Sequence, residues 1–363
     1  MSERVYNFNP GPAALPLAVL EQVQKELLDF KGTGMSILEI SHRSKEYEEV
    51  NTEAEALMKE LLGAPDNYRV LFLQGGASTQ FAMVPLNYLL PGSEADYVIT
   101  GGWAEKAYEE AAKIGKANIA ASSKGTNFDR IPKLNEIKLS SNPAYVHITT
   151  NNTLYGTEWH TLPDFPGKTL IADMSSNFLS KPVDISKFGL IYAGAQKNVG
   201  PAGVTIVIIR QDLIEKANKN NVPTMLQYGI HAKNNSLYNT PPVFAVYIVN
   251  LVLKYLKNNG GLEAIEKQNK LKAGYVYDAI DSSGGFYKGH AQPESRSLMN
   301  ITFTLPNEDL DKAFIAGAKA LKLVGLKGHR SVGGMRASTY NAVPVEGCKI
   351  LGEFMKDFAK RNG

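Results

Sequence analysis

The stretch AGAQKNVGPAG (193–203) decides how the fold of this chain is interpreted. It lies between two apolar runs, GLIYA (189–193) and GVTIVII (203–209), which are typical of buried β-strands. Its one charged residue, Lys197, therefore stands at the end of a predicted strand, among glycines and other small residues. Most lysines are solvated surface residues, so Lys197 needs partners elsewhere in the chain before a chemical role can be inferred for it.

Apolar runs on either side of this stretch predict more strands. Several are apolar at consecutive positions, as in strands that are covered on both faces. The predicted strands are RVLFLQ (69–74), YVIT (97–100), AYVHIT (144–149), KTLIAD (168–173), GLIYAG (189–194) and VTIVII (204–209), and segments with helical spacing cover residues 46–63, 78–90 and 104–115. This alternation predicts an α/β domain with a largely parallel sheet, helices on both faces and functional sites at the carboxyl ends of the strands.

The pattern changes after about residue 258. NNGG (258–261) interrupts the chain, and a long helical pattern follows over residues 262–280. A strand-like segment (296–305), a helix (307–323) and a terminal helix complete a smaller α+β domain. The proline-rich N-terminal segment is expected to pack beside it. We therefore predict a large domain over residues 16–258 and a small domain formed by residues 1–15 and 259–363.

Composition excludes several classes of protein. With 363 residues, 44% hydrophobic and 21% charged residues and a net charge of +3, the chain is an ordinary globular protein without the charge that binding nucleic acid or an anionic membrane requires. The longest apolar stretch (243–256) is interrupted by Asn250 and Lys254 and is too short to cross a bilayer. A single cysteine, Cys348, suits a reducing compartment, and no signal-peptide pattern is present. These features favour the cytoplasm.

The common nucleotide and hydrolase motifs are absent. No G-x-G-x-x-G follows a strand, no complete P-loop or G-x-S-x-G elbow occurs, and the six histidines lack metal-ligand spacing. A dehydrogenase, a nucleotide hydrolase, a serine hydrolase and a zinc enzyme are all disfavoured, and no metal ligand is predicted.

Small-residue turns at strand ends remain as candidate sites. In LQGGASTQF (73–81), Ala77 and Ser78 begin a helix whose N–H groups and hydroxyls can bind an anion, although an ordinary capped helix would have the same sequence. Trp103 follows another strand and can pack in the core or stack on a planar cofactor. Asp173 ends a third strand, 24 residues before Lys197, which is about one βαβ step. A lysine, an acid, a stacking ring and a phosphate site together suggest pyridoxal 5′-phosphate (PLP), which needs the lysine for a Schiff base and the acid for its pyridine nitrogen.

Five motifs carry a more specific resemblance. They are NFNPGPAALP (7–16), GTGMSILEISHRSKEY (32–47), AGAQKNVGPAG (193–203), YNTPP (238–242) and GHRSVGGMRASTYNA (328–342). Through them the chain resembles, nearly end to end, the phosphoserine aminotransferases, a family of fold-type I PLP-dependent transferases with a mostly parallel seven-stranded sheet in the large domain.

The resemblance implies a role for each matching residue. Lys197 would hold PLP and move the proton, Asp173 would pair with the pyridine nitrogen, Trp103 would stack on the ring, and Thr153 would bond near the ring oxygen. The phosphate would bind at Ala77, Ser78 and Gln196, and Asn239 and Thr240 would reach the phosphate of a neighbouring subunit. The active form would then be a homodimer with shared sites.

Basic residues imply the substrates. Arginine suits a carboxylate, and clustered arginine and histidine suit a phosphate, although either basic motif could be a solvated surface. By the resemblance, Arg336 would bind the α-carboxylate, and four residues from both subunits would bind the phosphate or γ-carboxylate. These four are His42, Arg43, His329 and Arg330. Some relatives have arginine at the position of Ser78, so the composition of this distal anion site is left open.

The implied reaction transfers the amino group of L-glutamate to 3-phosphohydroxypyruvate, giving O-phospho-L-serine and 2-oxoglutarate in serine biosynthesis. In bacteria the family also aminates a phosphorylated four-carbon keto acid in pyridoxine biosynthesis. The alternatives are another small-substrate PLP aminotransferase, a cysteine desulfurase, or a non-catalytic protein that binds PLP or an anion. A desulfurase needs a mobile cysteine, and Cys348 lies on a predicted amphipathic helix.

Overall fold

The secondary structure follows the βα alternation of the sequence. The computed structural model describes residues 4–217, 221–330 and 332–363. In chain order, its strands are β1 (Tyr6–Asn7), β2 (Tyr68–Leu73), β3 (Glu94–Ile99), β4 (Lys116–Ser122), β5 (Val146–Thr149), β6 (Asn151–Asn152), β7 (Thr157–Glu158), β8 (Leu170–Asp173), β9 (Leu190–Gly194), β10 (Thr205–Arg210), β11 (Lys288–Gly289), β12 (Asn300–Thr304), β13 (Leu323–Val324) and β14 (Met335–Ser338). Its α-helices are α1 (Leu17–Glu26), α2 (Lys45–Leu62), α3 (Gly76–Tyr88), α4 (Gly102–Ile114), α5 (Gln211–Lys216), α6 (Tyr228–Lys233), α7 (Val243–Asn258), α8 (Gly261–Asp281), α9 (Glu308–Ala320) and α10 (Val345–Asn362).

The central sheet confirms the predicted α/β class. Its seven strands have the order β2-β10-β9-β8-β5-β3-β4, and all are parallel except β10, which is antiparallel to both of its neighbours. Sequence analysis missed the edge strand β4, because KANIAAS is half exposed and lacks an apolar run. It also did not foresee the direction of β10, since a buried strand has the same apolar pattern in either direction.

Side-chain alternation places a hydrophobic cluster on each face of this sheet. In β2, Val70 and Phe72 join the cluster that α2 and α7 help to form, whereas Leu71 and Leu73 join the cluster under α3 and α4. Successive side chains of a strand point to opposite faces, so a run such as YRVLFL contributes to both clusters at once. The consecutive apolar residues that predicted doubly covered strands are thereby explained.

The parallel strands end at one edge of the sheet, and the loops that carry the predicted site residues begin there. β5, β8 and β9 are neighbours in the sheet and end at Thr149, Asp173 and Gly194. Two helices, α3 and α4, start directly after β2 and β3. Ligands of α/β proteins bind at such an edge.

The C-terminal region forms a third hydrophobic cluster. The antiparallel sheet β11-β12-β14 packs with α8, α9 and α10 around Phe303, Phe314 and Met355. β1 pairs in parallel with β13, and Phe8 lies in the same cluster. Arg336 lies on β14, which sequence analysis missed because its residues stand within a basic, glycine-rich motif. The boundaries at residues 16 and 258 stay a prediction.

Candidate active site

A cavity of about 480 Å³ opens at the carboxyl edge of the central sheet. Nine of the predicted site residues line it, which are Ala77, Ser78, Trp103, Thr153, Asp173, Gln196, Lys197, His329 and Arg336. They come from sequence positions that are up to 259 residues apart, since 336 − 77 = 259. Only the fold brings them together, because the large sheet and strand β14 each contribute one side of the cavity.

Lys197 is the chemical centre of this cavity. It follows β9 by three residues, is half-buried, and its Nζ donates a hydrogen bond of 2.9 Å to the hydroxyl of Thr153. Burial lowers the pKa of Lys197 to about 8, with the Asp173 carboxylate opposing that shift and Arg336 adding to it. A substantial fraction of the amine is therefore neutral, and so nucleophilic, near physiological pH.

The N-terminal segment packs directly against the stem of Lys197. Gly11 has a φ of +136°, and a Cβ built there would lie 3.4 Å from Cγ of Lys197. A larger residue would strain the backbone and crowd the lysine at the same time. This close approach explains why the motif NFNPGP, which is far from the lysine in sequence, belongs to the same site.

Asp173 is a buried carboxylate at the end of β8. One of its oxygens accepts a hydrogen bond of 2.9 Å from the backbone N–H of Ser175. Burial raises the pKa of Asp173, while the bond from Ser175 and the charge of Lys197 act to lower it. A carboxylate held in this way can bind a protonated ring nitrogen with little solvent screening.

Thr149 is a site residue that sequence analysis missed. It pairs with Asp173 in the register of β5 and β8, lines the cavity, and its buried hydroxyl has no hydrogen-bond partner among the described residues. Its one sequence signal was its place as the last residue of a predicted strand.

The predicted phosphate site is a glycine turn that leads into α3. Gly75 and Gly76 have φ values of +91° and +65°, which favour glycine, and a Cβ on Gly75 would collide with the side chain of Thr79. Ala77 and Ser78 lie in the first helical turn, where backbone N–H groups have no partner within the helix. These groups and the helix dipole attract an anion.

Trp103 stands at the first turn of α4 and contributes its ring to the cavity wall. Its Nε1 is buried without a hydrogen-bond partner among the described residues. The ammonium of Lys106, one turn further along the helix, lies 4.6 Å from the ring centroid. Sequence analysis did not single out Lys106.

Arg336 supplies a buried cation to the same cavity. Its side chain is 5% exposed, its Nη1 donates a 3.4 Å hydrogen bond to the carbonyl oxygen of Thr153, and its Nε has no partner among the described residues. Burial lowers the pKa of Arg336, with Tyr340 opposing that shift. A guanidinium that is buried without a carboxylate partner in the described part of the chain is suited to an anionic ligand.

Five predicted residues do not line this cavity in a single chain. His42, Arg43 and Arg330 stand outside it, as do Asn239 and Thr240. The loop with Asn239 lies near the glycine turn that precedes α3, because Nε2 of Gln74 donates a 3.1 Å hydrogen bond to the carbonyl oxygen of Thr240. His42 is half-buried, and its Nε2 has no partner among the described residues.

These residues fit PLP. An amine at the cavity floor, a buried acid, an aromatic wall and a turn of unpartnered N–H groups face one space, and each matches one part of that cofactor. Two further observations concern residues 4–217, 221–330 and 332–363. No helix there is long and apolar enough to span a membrane, and no group of three or more His, Cys, Asp or Glu side chains is arranged to hold a metal ion.

Comparison with known proteins identifies the class. The chain belongs to the class-V aminotransferase family, whose model matches residues 5–351. It is 60% identical to the phosphoserine aminotransferase of Lysinibacillus sphaericus, over 100% of both chains. The solved phosphoserine aminotransferase of Bacillus circulans subsp. alkalophilus superposes with a TM-score of 0.97 at 56% identity and 100% coverage of each chain. The PLP-bound phosphoserine aminotransferase of Trichomonas vaginalis superposes with a TM-score of 0.93 at 42% identity, and the match covers 97% of this chain and 100% of that one.

The resemblance that the sequence motifs carried is thereby confirmed. The protein is a PLP-dependent aminotransferase, and a non-catalytic binding protein is excluded.

Proposed function

We propose that the protein transfers the amino group of L-glutamate to 3-phosphohydroxypyruvate, giving O-phospho-L-serine and 2-oxoglutarate in serine biosynthesis. The observation that carries this proposal is that Arg336 lies beside Lys197 in one cavity, buried and with no carboxylate partner in the described part of the chain. Both substrates have an α-carboxylate next to the reacting carbon and a second anionic group at the far end. One arginine near the amine and further cations at the mouth suit such molecules.

Lys197, Asp173 and Thr153 would each have a separate role in the transamination. When bound, PLP accepts the electron pair of the substrate α-carbon and so stabilises the carbanion. Nζ of Lys197 would hold the cofactor and later take the proton from the α-carbon, a task for which a pKa of about 8 is suited. Asp173 would hold the proton on the pyridine nitrogen, and Thr153 orients Nζ through its hydroxyl.

Substrate orientation would depend on three basic residues of the same chain. Arg336 would bind the α-carboxylate through its guanidinium fork. His329 lines the same cavity and would bind the far anionic group. Arg330 follows it in sequence, is exposed, and would complete this distal anion site.

We also propose a homodimer, because the site is incomplete in one chain. The segment before His42 and Arg43 exposes four large apolar side chains, with Leu28 86%, Leu38 60%, Met35 46% and Leu27 36% exposed. Such a cluster is typical of an interface. Burying it against a second subunit would bring the two basic residues, and the loop with Asn239 and Thr240, to the neighbouring cavity. The lone cysteine supports a cytoplasmic location, and the shared carboxylate and phosphate groups make the four-carbon phosphorylated keto acid a second candidate substrate.

The test is a comparison of substrate pairs. The wild-type enzyme should aminate 3-phosphohydroxypyruvate with glutamate far better than glyoxylate with alanine, the pair that a related small-substrate aminotransferase would prefer. Arg330→Ala should lower kcat/KM about tenfold for the phosphorylated substrate, as the loss of a charged hydrogen bond does. Arg361→Ala is the matched control, because Arg361 is an exposed arginine paired with Asp357 on the terminal helix. A preference for alanine and glyoxylate would overturn the proposal.

A further inference from the structure

Lys106 is a cation at the mouth of the cavity that none of the roles above includes. It lies one helical turn after Trp103 on α4, and its ammonium stands 4.6 Å from the centroid of the indole ring. Side chains of a helix lean towards its N-terminus, and the N-terminus of α4 faces the carboxyl edge of the sheet. Trp103 lines the cavity and Lys106 does not, so the ammonium packs from an exposed side chain on a residue of the cavity wall.

Two of the three acids of α4 are paired with other lysines, and the third, Glu109, forms no ion pair within 4 Å among the described residues. Glu105 forms an ion pair of 2.8 Å with Lys124, and Glu110 forms one of 2.6 Å with Lys113. Lys106 itself makes no ion pair within 4 Å in the part of the chain that the structure describes. Its contact with the ring therefore places a positive charge beside the cavity without neutralising it.

The charge of Lys106 also acts on His329, which lines the cavity. Burial lowers the pKa of His329, and the charges of Arg336, Arg330 and Lys106 lower it further. His329 and Arg336 line the cavity, so the electrostatic field of Lys106 extends to residues that would touch the substrate. Several cations around one space raise the local concentration of anions, and a doubly charged anion gains more than a singly charged one.

We propose that Lys106 is a specificity-determining residue that favours a phosphate over an uncharged group at the far end of the substrate. This proposal rests on the proposed function. A lysine ammonium binds phosphate as a point charge, without the fixed geometry that an arginine requires. Its place over Trp103 keeps it within reach of the cavity mouth, while its exposure lets it move with the bound group.

The experiment compares Lys106→Met with Lys106→Arg on two keto acids that differ only in the phosphate, 3-phosphohydroxypyruvate and hydroxypyruvate. Lys106→Met should raise KM for the phosphorylated substrate about fivefold, the upper range for an exposed ion pair, and leave KM for hydroxypyruvate within about twofold. Lys106→Arg should restore most of the loss. Calorimetric titration with O-phospho-L-serine should show the same loss of affinity, and the loss should shrink at about 1 M salt because the Debye length is then only about 3 Å.

Lys113→Met is the matched control, since it removes an exposed lysine from the same helix. It should match the wild-type enzyme on both substrates. Equal KM values of Lys106→Met and wild type for the phosphorylated substrate would overturn the inference. An equal loss on both substrates would do so too, because Lys106 would then act only by packing on Trp103. A wild-type enzyme that does not aminate 3-phosphohydroxypyruvate would instead overturn the proposed function, before any variant is compared.

Discussion

Lys197 and Arg336 bind the same residue, Thr153, one at its hydroxyl and the other at its carbonyl oxygen. The distances are 2.9 Å and 3.4 Å. Lys197 comes from the loop after β9 and Arg336 from β14, so Thr153 sets the spacing between two groups that the chain places 139 residues apart, since 336 − 197 = 139. The amine and the cation proposed for the substrate carboxylate are thus held in one arrangement, which limits the conformational entropy lost when a substrate binds.

The lowered pKa of Lys197 predicts how fast the cofactor-free protein takes up PLP. Only the neutral amine forms the covalent bond, so the rate should rise about tenfold per pH unit below pH 8 and level off above it. The measurement is the absorbance of bound cofactor after mixing at pH 6.5 to 9.5. Lys197→Ala is the control and should show no covalent uptake while staying folded. A rate that still rises tenfold between pH 8.5 and 9.5 would mean that burial does not lower the pKa of the Lys197 amine.

Asp173→Asn should separate catalysis from stability. The amide keeps the shape and can still accept the N–H of Ser175, but it loses the charge proposed to hold a proton on the pyridine nitrogen. We expect kcat to fall on the order of 10³-fold. The melting temperature should stay the same or rise, because burial already disfavours the carboxylate. Steady-state kinetics and thermal unfolding check both parts, and near-normal turnover would refute the role of the acid.

Asn239→Ala tests the shared site of the proposed homodimer. Loss of one hydrogen bond to the cofactor phosphate should weaken PLP binding about tenfold, measured by equilibrium dialysis. Asn135→Ala, at an exposed asparagine far from the cavity, is the matched control. At limiting PLP, mixing Lys197→Ala with Asn239→Ala subunits should restore activity, because a mixed dimer contains one complete site. Mixtures no more active than their components would argue against sharing.

Lys272 predicts a rise in stability with pH. This fully buried lysine donates hydrogen bonds of 2.7 and 3.3 Å to the carbonyl oxygens of Tyr340 and Asn341, and burial lowers its pKa to about 8. The folded state then binds fewer protons than the unfolded state between pH 8 and 10.5, so the free energy of unfolding increases over that range. Relative to Lys272→Met, the wild type should gain up to about 3 kcal/mol between pH 8 and 10.5, part of it by pH 10.

Urea unfolding at pH 7.5, 9 and 10 measures this difference. Lys270→Met is the control on the same helix, because Lys270 is exposed and paired with Glu266. The free energy of unfolding of Lys270→Met should change with pH by the same amount as that of the wild type. If the free energy of unfolding of Lys272→Met also changed with pH by the same amount as that of the wild type, the buried amine would not be the source of the pH dependence. Tyrosines of the unfolded chain also ionise near pH 10, and the comparison of wild type with Lys272→Met at each pH cancels their contribution because both proteins contain the same tyrosines.

Local sequence patterns were sufficient to predict the cofactor chemistry of this protein and most of its secondary structure. Apolar runs and helical spacing are local properties, so the strands around Lys197 and the helices after Gly75 and Gly101 could be predicted to within a few residues. Motifs that carry a lysine, an acid and glycine turns in a set order are also readable along the chain, and they identified the cofactor and the family.

Tertiary structure alone decided the direction of β10, the edge strand β4 and the geometry of the site. These features depend on pairing between distant segments, which a local pattern cannot specify. The basic motif of Arg336 could be a solvated surface as far as the sequence shows, whereas β14 buries this residue against Thr153. The position of Lys106 beside the cavity likewise depends on its contact with the Trp103 ring, which the sequence does not show. The physical reason is the same in each case, since pKa shifts and anion affinity arise from desolvation and from the summed field of charges that only the folded chain assembles.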